Sequence, residues 1–129
     1  MNYFINKEIE NTSFDDVYNK TVEELKKEGF GIITEIDMKA TFKKKLDVDY
    51  KPYKILGACN PNFAYEALQF QSKVGVFLPC NVIIEEDSNG NIEVSAVDPI
   101  ASMMAVESEE LSKMAEEVKF KLTRVIEAI

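Results

Sequence analysis

The segment Asp87-Ser88-Asn89-Gly90-Asn91 lies between two stretches rich in β-branched residues, 82–86 and 92–97. Asn-Gly between such stretches is the strongest short-range signal for a β-hairpin, because both residues tolerate the backbone angles of a tight turn. The two stretches are therefore predicted to be neighbouring antiparallel strands. This pairing restricts the chain to folds that contain an antiparallel sheet.

Four further segments are predicted to be strands from their aromatic and β-branched content. They are residues 3–9, 30–36, 53–59 and 74–78. The third segment alternates, so that Cys59 shares a face with Tyr53 and Ile55. Pro79 follows the fourth segment, and its missing N–H predicts either a strand end or an edge bulge at that position.

Apolar residues at helical spacing predict helices between these strands and at the end of the chain. Ser13, Asp37, Asn60 and Asp98 each precede a predicted helix and suit its N-cap. Residues 111–129 carry a continuous apolar stripe with the helical period. We expect residues 1–129 to form one α+β domain, with a mostly antiparallel or mixed sheet of five to six strands packed by three to four helices.

Charge and hydropathy exclude several classes of partner. The net charge is −8, which argues against nucleic acid and anionic membranes, because phosphate binding needs clustered Lys and Arg. No apolar stretch approaches the ~20 residues that cross a bilayer. The N-terminal segment shows no secretion signal, so the two cysteines predict a cytoplasmic protein with reduced thiols.

The chain contains no histidine, which excludes Ser-His-Asp and Cys-His catalysis and the common zinc sites. Its two cysteines cannot by themselves complete a tetrahedral thiolate site, which would need carboxylates or ligands shared across a dimer. Met103 and Met104 would add soft donors that suit Cu(I), but methionine more often fills gaps in a core. We therefore assign no metal ligand from the sequence, and no cofactor is identified.

Both cysteines lie beside an asparagine and a proline, in Cys59-Asn60-Pro61 and in Pro79-Cys80-Asn81. Cys59 precedes a predicted helix N-terminus, which lowers a thiol pKa, although its distance from the first turn weakens the effect. Cys80 shares strand parity with apolar residues and is expected to be a neutral thiol. Free cysteines are usually packed residues, so packing is favoured over chemistry.

Two charged residues are further candidates. Asp98 ends the apolar face of strand 92–97, where a buried carboxylate could act as an acid or base. We favour an N-cap, because Asp before Pro at the first helical position is a common helix start. Lys45 belongs to segment 39–54, in which six lysines oppose two aspartates. This patch could attract an anionic small molecule, but a solvated surface is the commoner role of such charge runs.

Several motifs resemble the domain-of-unknown-function family numbered 302. They are Asp37–Leu46, Pro52–Pro61, Ala64, Ala67-Leu68, Gly75, Leu78–Asn81 and Val97–Pro99, which together span nearly the whole chain. The resemblance implies an α+β domain, a homodimer and no accepted catalytic residues. Asp47-Val48 departs from the family pattern, in which glycine is more typical after Lys-Leu.

We expect the cysteine motifs and Asp98-Pro99 to meet at one edge of the sheet, because each lies at a predicted strand end. The leading hypothesis is a homodimer that binds a small ligand in a cleft there. The candidate cleft residues are Cys59, Asn60, Pro79, Cys80, Asn81, Asp98 and Lys45. One alternative is a thiol-dependent enzyme with Cys59 or Cys80 as nucleophile and Asp98 or Lys45 as proton partner. The other is a structural dimerisation module without a ligand.

Overall fold

A computed structural model describes residues 2–129 of the chain. Five strands form one sheet in the order β1-β5-β4-β3-β2, and every neighbouring pair is antiparallel. The strands are β1 (Phe4–Ile9), β2 (Gly31–Asp37), β3 (Tyr53–Cys59), β4 (Cys80–Glu86) and β5 (Ile92–Val97). The hairpin predicted at Asn89-Gly90 joins β4 to β5, and Gly90 has the positive φ of 80° that its turn requires.

Five α-helices and two short 3₁₀ helices complete the described part of the chain. The α-helices are α1 (Phe14–Lys27), α2 (Met38–Leu46), α3 (Pro61–Phe70), α4 (Pro99–Met103) and α5 (Glu109–Ala128), and the 3₁₀ helices are Ser72–Phe77 and Met104–Val106. No helix within residues 2–129 combines the length and the apolar character needed to cross a membrane.

Helix starts follow the predicted caps at three positions. Ser13 Oγ accepts a hydrogen bond from Asp16 N, at 3.1 Å, at the start of α1. Asp37 Oδ1 accepts one from Ala40 N, at 2.9 Å, at the start of α2. Asp98 caps α4 in the same way. These bonds satisfy amides that the first helical turn leaves without backbone partners.

The main core lies between one face of the sheet and helices α1 and α5. The fully buried side chains include Leu25 from α1, Leu122 and Ile126 from α5, and Leu56 and Ile84 from the sheet. Each such side chain contributes about 1.5–3 kcal/mol through removal of apolar surface from water. The apolar stripe of the last helix is therefore covered by its own chain.

The predicted strand at 74–78 is wrong. Residues Ser72–Phe77 form a 3₁₀ helix, in which Leu78 N donates to Gly75 O at 3.1 Å. β4 already has β3 on one side and β5 on the other, so its two edges are occupied. No edge beside β4 remains for this segment, which instead carries the chain from α3 back to the start of β4.

The second face of the sheet carries none of the helices that build the core. Its middle row contains Ile36, Ile55 and Ile83, which are neighbours across β2, β3 and β4. Tyr53 and Val97 flank this row. We call this surface, made of the outward-facing residues of β1–β5, the open sheet face.

Neighbouring segments approach β3 closely at Gly57 on the open sheet face. A Cβ atom built at Gly57 would overlap Thr34 Oγ1 and would lie 2.7 Å from Pro79 Cγ. Thr34 belongs to β2, while Pro79 leads into β4 through a cis Leu78–Pro79 peptide bond. Because Gly57 has no side chain, Thr34 and Pro79 can both pack directly against the backbone of β3.

We expect Gly57→Ala to destabilise the protein by about 1–3 kcal/mol, because overpacking forces neighbouring groups to move. Gly31→Ala is the matched control, since a Cβ there meets no atom within 4 Å. Chemical denaturation of both variants measures the difference. Equal stabilities for the two variants would contradict this account of Gly57.

Candidate functional site

One end of the sheet holds a pocket of about 300 Å³. It lies between the main core and a smaller hydrophobic cluster formed by Ala67, Val74 and Leu111. Helices α3 and α5, the end of β3 and the start of β4 supply most of its wall. The lining residues are Phe30, Ile33, Ala58, Cys59, Asn60, Phe63, Ala64, Ala67, Leu78, Pro79, Cys80, Pro99, Met103, Leu111, Met114, Ala115 and Val118.

The three motifs expected to converge do lie at this end of the sheet. β3 ends at Cys59, and β4 begins at Cys80, whose cross-strand partner is Ala58. β5, on the other side of β4, ends just before Asp98. Because adjacent strands are antiparallel, the end of one strand and the start of the next meet at the same edge.

Four of the seven candidate residues line the pocket: Cys59, Asn60, Pro79 and Cys80. The two cysteines are free and only partly exposed. Cys80 is one register position away from Cys59 on the neighbouring strand, which places their Cα atoms about 6 Å apart from standard strand spacing.

Burial raises the pKa of the Cys80 thiol to about 11, and the nearby Cys59 thiol adds a smaller contribution in the same direction. A desolvated thiolate has lost the water that stabilises its charge, so the neutral thiol is favoured. At neutral pH Cys80 is therefore a protonated and weakly nucleophilic group, as its strand parity predicted.

Asn60 occupies the N-cap position of α3, but the predicted side-chain cap is wrong, because its side chain accepts no hydrogen bond from the first turn. The amide packs instead toward Gly29, whose hypothetical Cβ would lie 3.1 Å from Asn60 Nδ2. Gly29 has a φ of 87°, and it follows the end of α1 as a stop residue. The Asn60 side chain thus supplies the amide group of the pocket wall.

Asp98 does not line the pocket. Its Oδ1 atom accepts hydrogen bonds from Ile100 N at 2.9 Å and Ala101 N at 3.4 Å, and its Oδ2 atom lies 2.9 Å from Lys119 Nζ. Both carboxylate oxygens are therefore occupied by the cap and by an ion pair with α5. The favoured interpretation of Asp98 as a helix cap is confirmed.

Asn81 and Lys45 also lie outside the pocket lining. Asn81 is exposed on the open sheet face, because it follows Cys80 by one residue and adjacent residues of a strand point to opposite faces. Lys45 is exposed on α2, which follows the end of β2 far from Cys59. β2 begins opposite Cys59 and ends opposite Lys54, so α2 lies at the other end of the sheet.

Reasoning from the sequence did not identify several of the lining residues as parts of a site. Phe30, Ile33 and Leu78 come from loops or a strand irregularity, and Ile33 sits at a shift in the β2–β3 register. The available signal was alanine on the inner faces of the helices, at Ala64 and Ala67 in α3 and at Ala115 in α5. Ala64 and Ala115 leave space where a larger side chain would fill the gap.

These features define a two-layer α+β domain, in which helices cover one face of a five-stranded antiparallel sheet and a pocket lies at the sheet end. The chain belongs to the family described as "Domain of unknown function DUF302", whose profile matches residues 5–129. The resemblance found in the motifs is thereby confirmed.

A solved structure supports the same fold. The crystal structure of an uncharacterized conserved protein DUF302 from Bacillus stearothermophilus superposes with a TM-score of 0.91. The two sequences are 23% identical, and the match covers 99% of this chain and 98% of the other. No curated protein matches the chain.

We expect the stability of the protein to fall as the pH rises from about 9 toward 11, partly through Cys80. The folded protein retains the Cys80 proton over a range in which the unfolded chain has lost it, since the pKa rises from 9.0 to about 11 on folding. Two pKa units correspond to roughly 2–3 kcal/mol. Chemical denaturation at several pH values should show that the Cys80→Ala variant loses less stability than the wild type as the pH rises.

Cys59→Ala is the control for this measurement, because it leaves the burial of Cys80 in place. Its stability should fall with pH almost as steeply as that of the wild type. A Cys80→Ala variant with the full wild-type dependence would contradict the shifted pKa.

Proposed function

We propose that this protein binds a small apolar ligand in the pocket at the Cys59–Cys80 end of the sheet, and that it acts as a cytoplasmic homodimer. The supporting observation is the gap of about 300 Å³ between two hydrophobic clusters. That volume is at the lower end of the range of about 300–1,000 Å³ typical of small-molecule pockets. The two unpaired thiols suit a reducing compartment.

The composition of the wall indicates the chemistry of the ligand. None of the lining residues carries a formal charge at neutral pH, and Asn60 supplies the one side-chain amide. An anionic ligand would lose its hydration without gaining an ion pair, which is costly. The pocket therefore favours a neutral, mostly apolar molecule that can form a hydrogen bond with Asn60.

A thiol-dependent enzyme is less well supported. Cys80 is held in its neutral form, and neither Lys45 nor Asp98 lines the pocket beside a thiol. A thiol nucleophile needs a base or a lowered pKa to become reactive. The geometry supplies neither for Cys80, so ligand binding is the better account of the pocket.

The open sheet face supports the homodimer part of the proposal. Antiparallel sheets that leave one face to solvent usually carry polar residues there. Here the middle row is Ile36, Ile55 and Ile83, of which Ile36 is exposed and the other two are half-buried, and Phe4 is also exposed. A second copy of the chain, packed on the same surface, would remove these side chains from water and form a two-fold interface.

The pocket is tested with a neutral fluorescent probe of apolar sites, such as N-phenyl-1-naphthylamine. We expect the wild type to bind the probe and Ala64→Leu to weaken binding about tenfold or more, because the added atoms occupy the pocket. Ala40→Leu is the matched control, since Ala40 is exposed on α2. Equal binding by the Ala64→Leu and Ala40→Leu variants would refute the pocket as the site.

The dimer is tested by sedimentation equilibrium. Ile83→Glu places a charge in the middle of the open sheet face and should convert a dimer to a monomer, because an unpaired buried charge is costly. Phe120→Glu is the control: Phe120 is 64% exposed on α5, in the helix layer, and its replacement should leave the mass unchanged. A monomeric wild type would contradict the proposal.

A further inference from the structure

Three glutamates form a row across the open sheet face. The strand register makes Glu93 the direct neighbour of Glu8 on β1 and of Glu85 on β4. All three side chains point to the open sheet face, because they alternate with the core-facing residues of their strands. Like charges directly opposite each other on adjacent strands are unfavourable. We call Glu8, Glu93 and Glu85 the acidic row.

Within residues 2–129, one of these three carboxylates has a cation beside it. Lys51 Nζ lies 2.6 Å from Glu85 Oε1. Glu8 and Glu93 instead accept hydrogen bonds from asparagine side chains, at 2.7 Å and 3.1 Å. A neutral amide leaves the negative charge of each carboxylate uncompensated. A partner that covers this face must therefore supply positive charge, because a buried charge without a partner is costly.

A groove of about 490 Å³ lies beside the acidic row. Its wall includes Glu85 and Glu93, together with the apolar residues Phe4, Ile83 and Val97. The groove occupies the half of the open sheet face that β1, β5 and β4 form. The surface that fits it is convex and combines positive charge with apolar side chains.

The chain itself carries such a surface in residues 38–50, which comprise α2 and the loop that follows it. This segment contains four lysines and two aspartates. Lys44 and Lys45 are exposed, and neither forms an ion pair within the described part of the chain. Leu46 and Val48 are exposed apolar residues of the same segment. We call residues 38–50 the basic edge.

Aromatic contacts join the basic edge to the open sheet face. The Phe42 ring meets the Tyr50 ring edge-on at 5.1 Å, and the Tyr50 ring lies 6.2 Å from that of Tyr53, which faces outward on β3. Tyr53 is also the cross-strand partner of Glu85. The basic edge and the acidic row therefore lie at the same end of the sheet, the first beside β2 and β3 and the second toward β1.

We propose that a second copy of the chain packs on the open sheet face about a two-fold axis parallel to the strands, so that the basic edge of each copy covers the groove of the other. Lys44 and Lys45 then pair with the acidic row. Rotation about this axis exchanges the β1 side with the β2 side and keeps each end of the sheet level with itself. A two-fold interface requires such a self-complementary surface. The inference rests on the homodimer of the proposed function and adds the residues that orient it.

The strand order fits this axis. β4 is the central strand of the five, so it lies along the axis and its Ile83 faces the same residue of the second copy. Glu85 is also close to the axis, where Lys51 of its own chain already compensates its charge. Glu8 and Glu93 lie away from the axis, beneath the basic edge of the second copy. The two carboxylates without a cation are thus the two that its lysines reach.

The experiment measures dimer dissociation constants by sedimentation equilibrium for two charge-reversal variants, Glu8→Lys/Glu93→Lys and Lys44→Glu/Lys45→Glu. Each variant brings like charges together, so we expect each to weaken its own homodimer about tenfold or more. An equimolar mixture of the two variants should recover the wild-type affinity. In the mixed dimer, the lysines of one chain meet the glutamates of the other at both contacts.

Lys26→Glu/Lys113→Glu is the matched control, because it makes the same change of charge at exposed lysines of α1 and α5. It should leave the dissociation constant unchanged. Raising the salt concentration from about 0.05 M to about 0.5 M should weaken the wild-type dimer severalfold, since salt screens ion pairs. Circular dichroism verifies that each variant is folded.

Two results would overturn this arrangement: homodimers of both charge-reversal variants as tight as the wild type, or a mixture no tighter than its components. If Ile83→Glu still dissociates the wild-type dimer in those cases, the proposed homodimer stands and its axis is a different one. A monomeric wild type would refute the homodimer and this inference together.

Discussion

The structure depends on the burial of one sheet face under α1 and α5. Alternation along the strands gives the inner face Leu56, Ile84 and Val94, and the two helices add Leu25 and Leu122. With the helices of the core packed on this one side, the opposite face carries none of them. The positions of both the pocket and the open sheet face follow from this packing.

The pocket exists because two hydrophobic clusters do not merge. The later part of α5 belongs to the main core, while Leu111 near its start packs with Ala67 and Val74 in the smaller cluster. Ala64 on α3 and Ala115 on α5 line the gap, and their short side chains leave it unfilled. A compact core normally closes such gaps, because interiors are close-packed. A gap that persists beside two thiols is therefore the feature that most directly supports a binding role.

The sequence predicted the fold better than the site. The alternation in β3 and the Asn89-Gly90 turn are local signals, and the corresponding elements form as expected. The segment 74–78 failed because its apolar content suits a strand or a helix equally, and only the occupied edges of β4 decide between them. Asn81 lies outside the pocket because strand alternation turns it to the face opposite Cys80, which the sequence already indicated. Lys45 lies outside it because α2 follows the far end of β2, and only the strand order of the folded sheet shows this.

The sequence alone determined the antiparallel hairpin and the capped helix starts at Ser13, Asp37 and Asp98, since each depends on residues close together in the chain. It also excluded histidine chemistry outright. Only the tertiary structure decided that Met114 lines the same pocket as Cys59 and Cys80. It also decided that Lys119 forms an ion pair with Asp98. These relations join residues far apart in the chain, and they arise from how helices pack on a sheet, which no local pattern specifies.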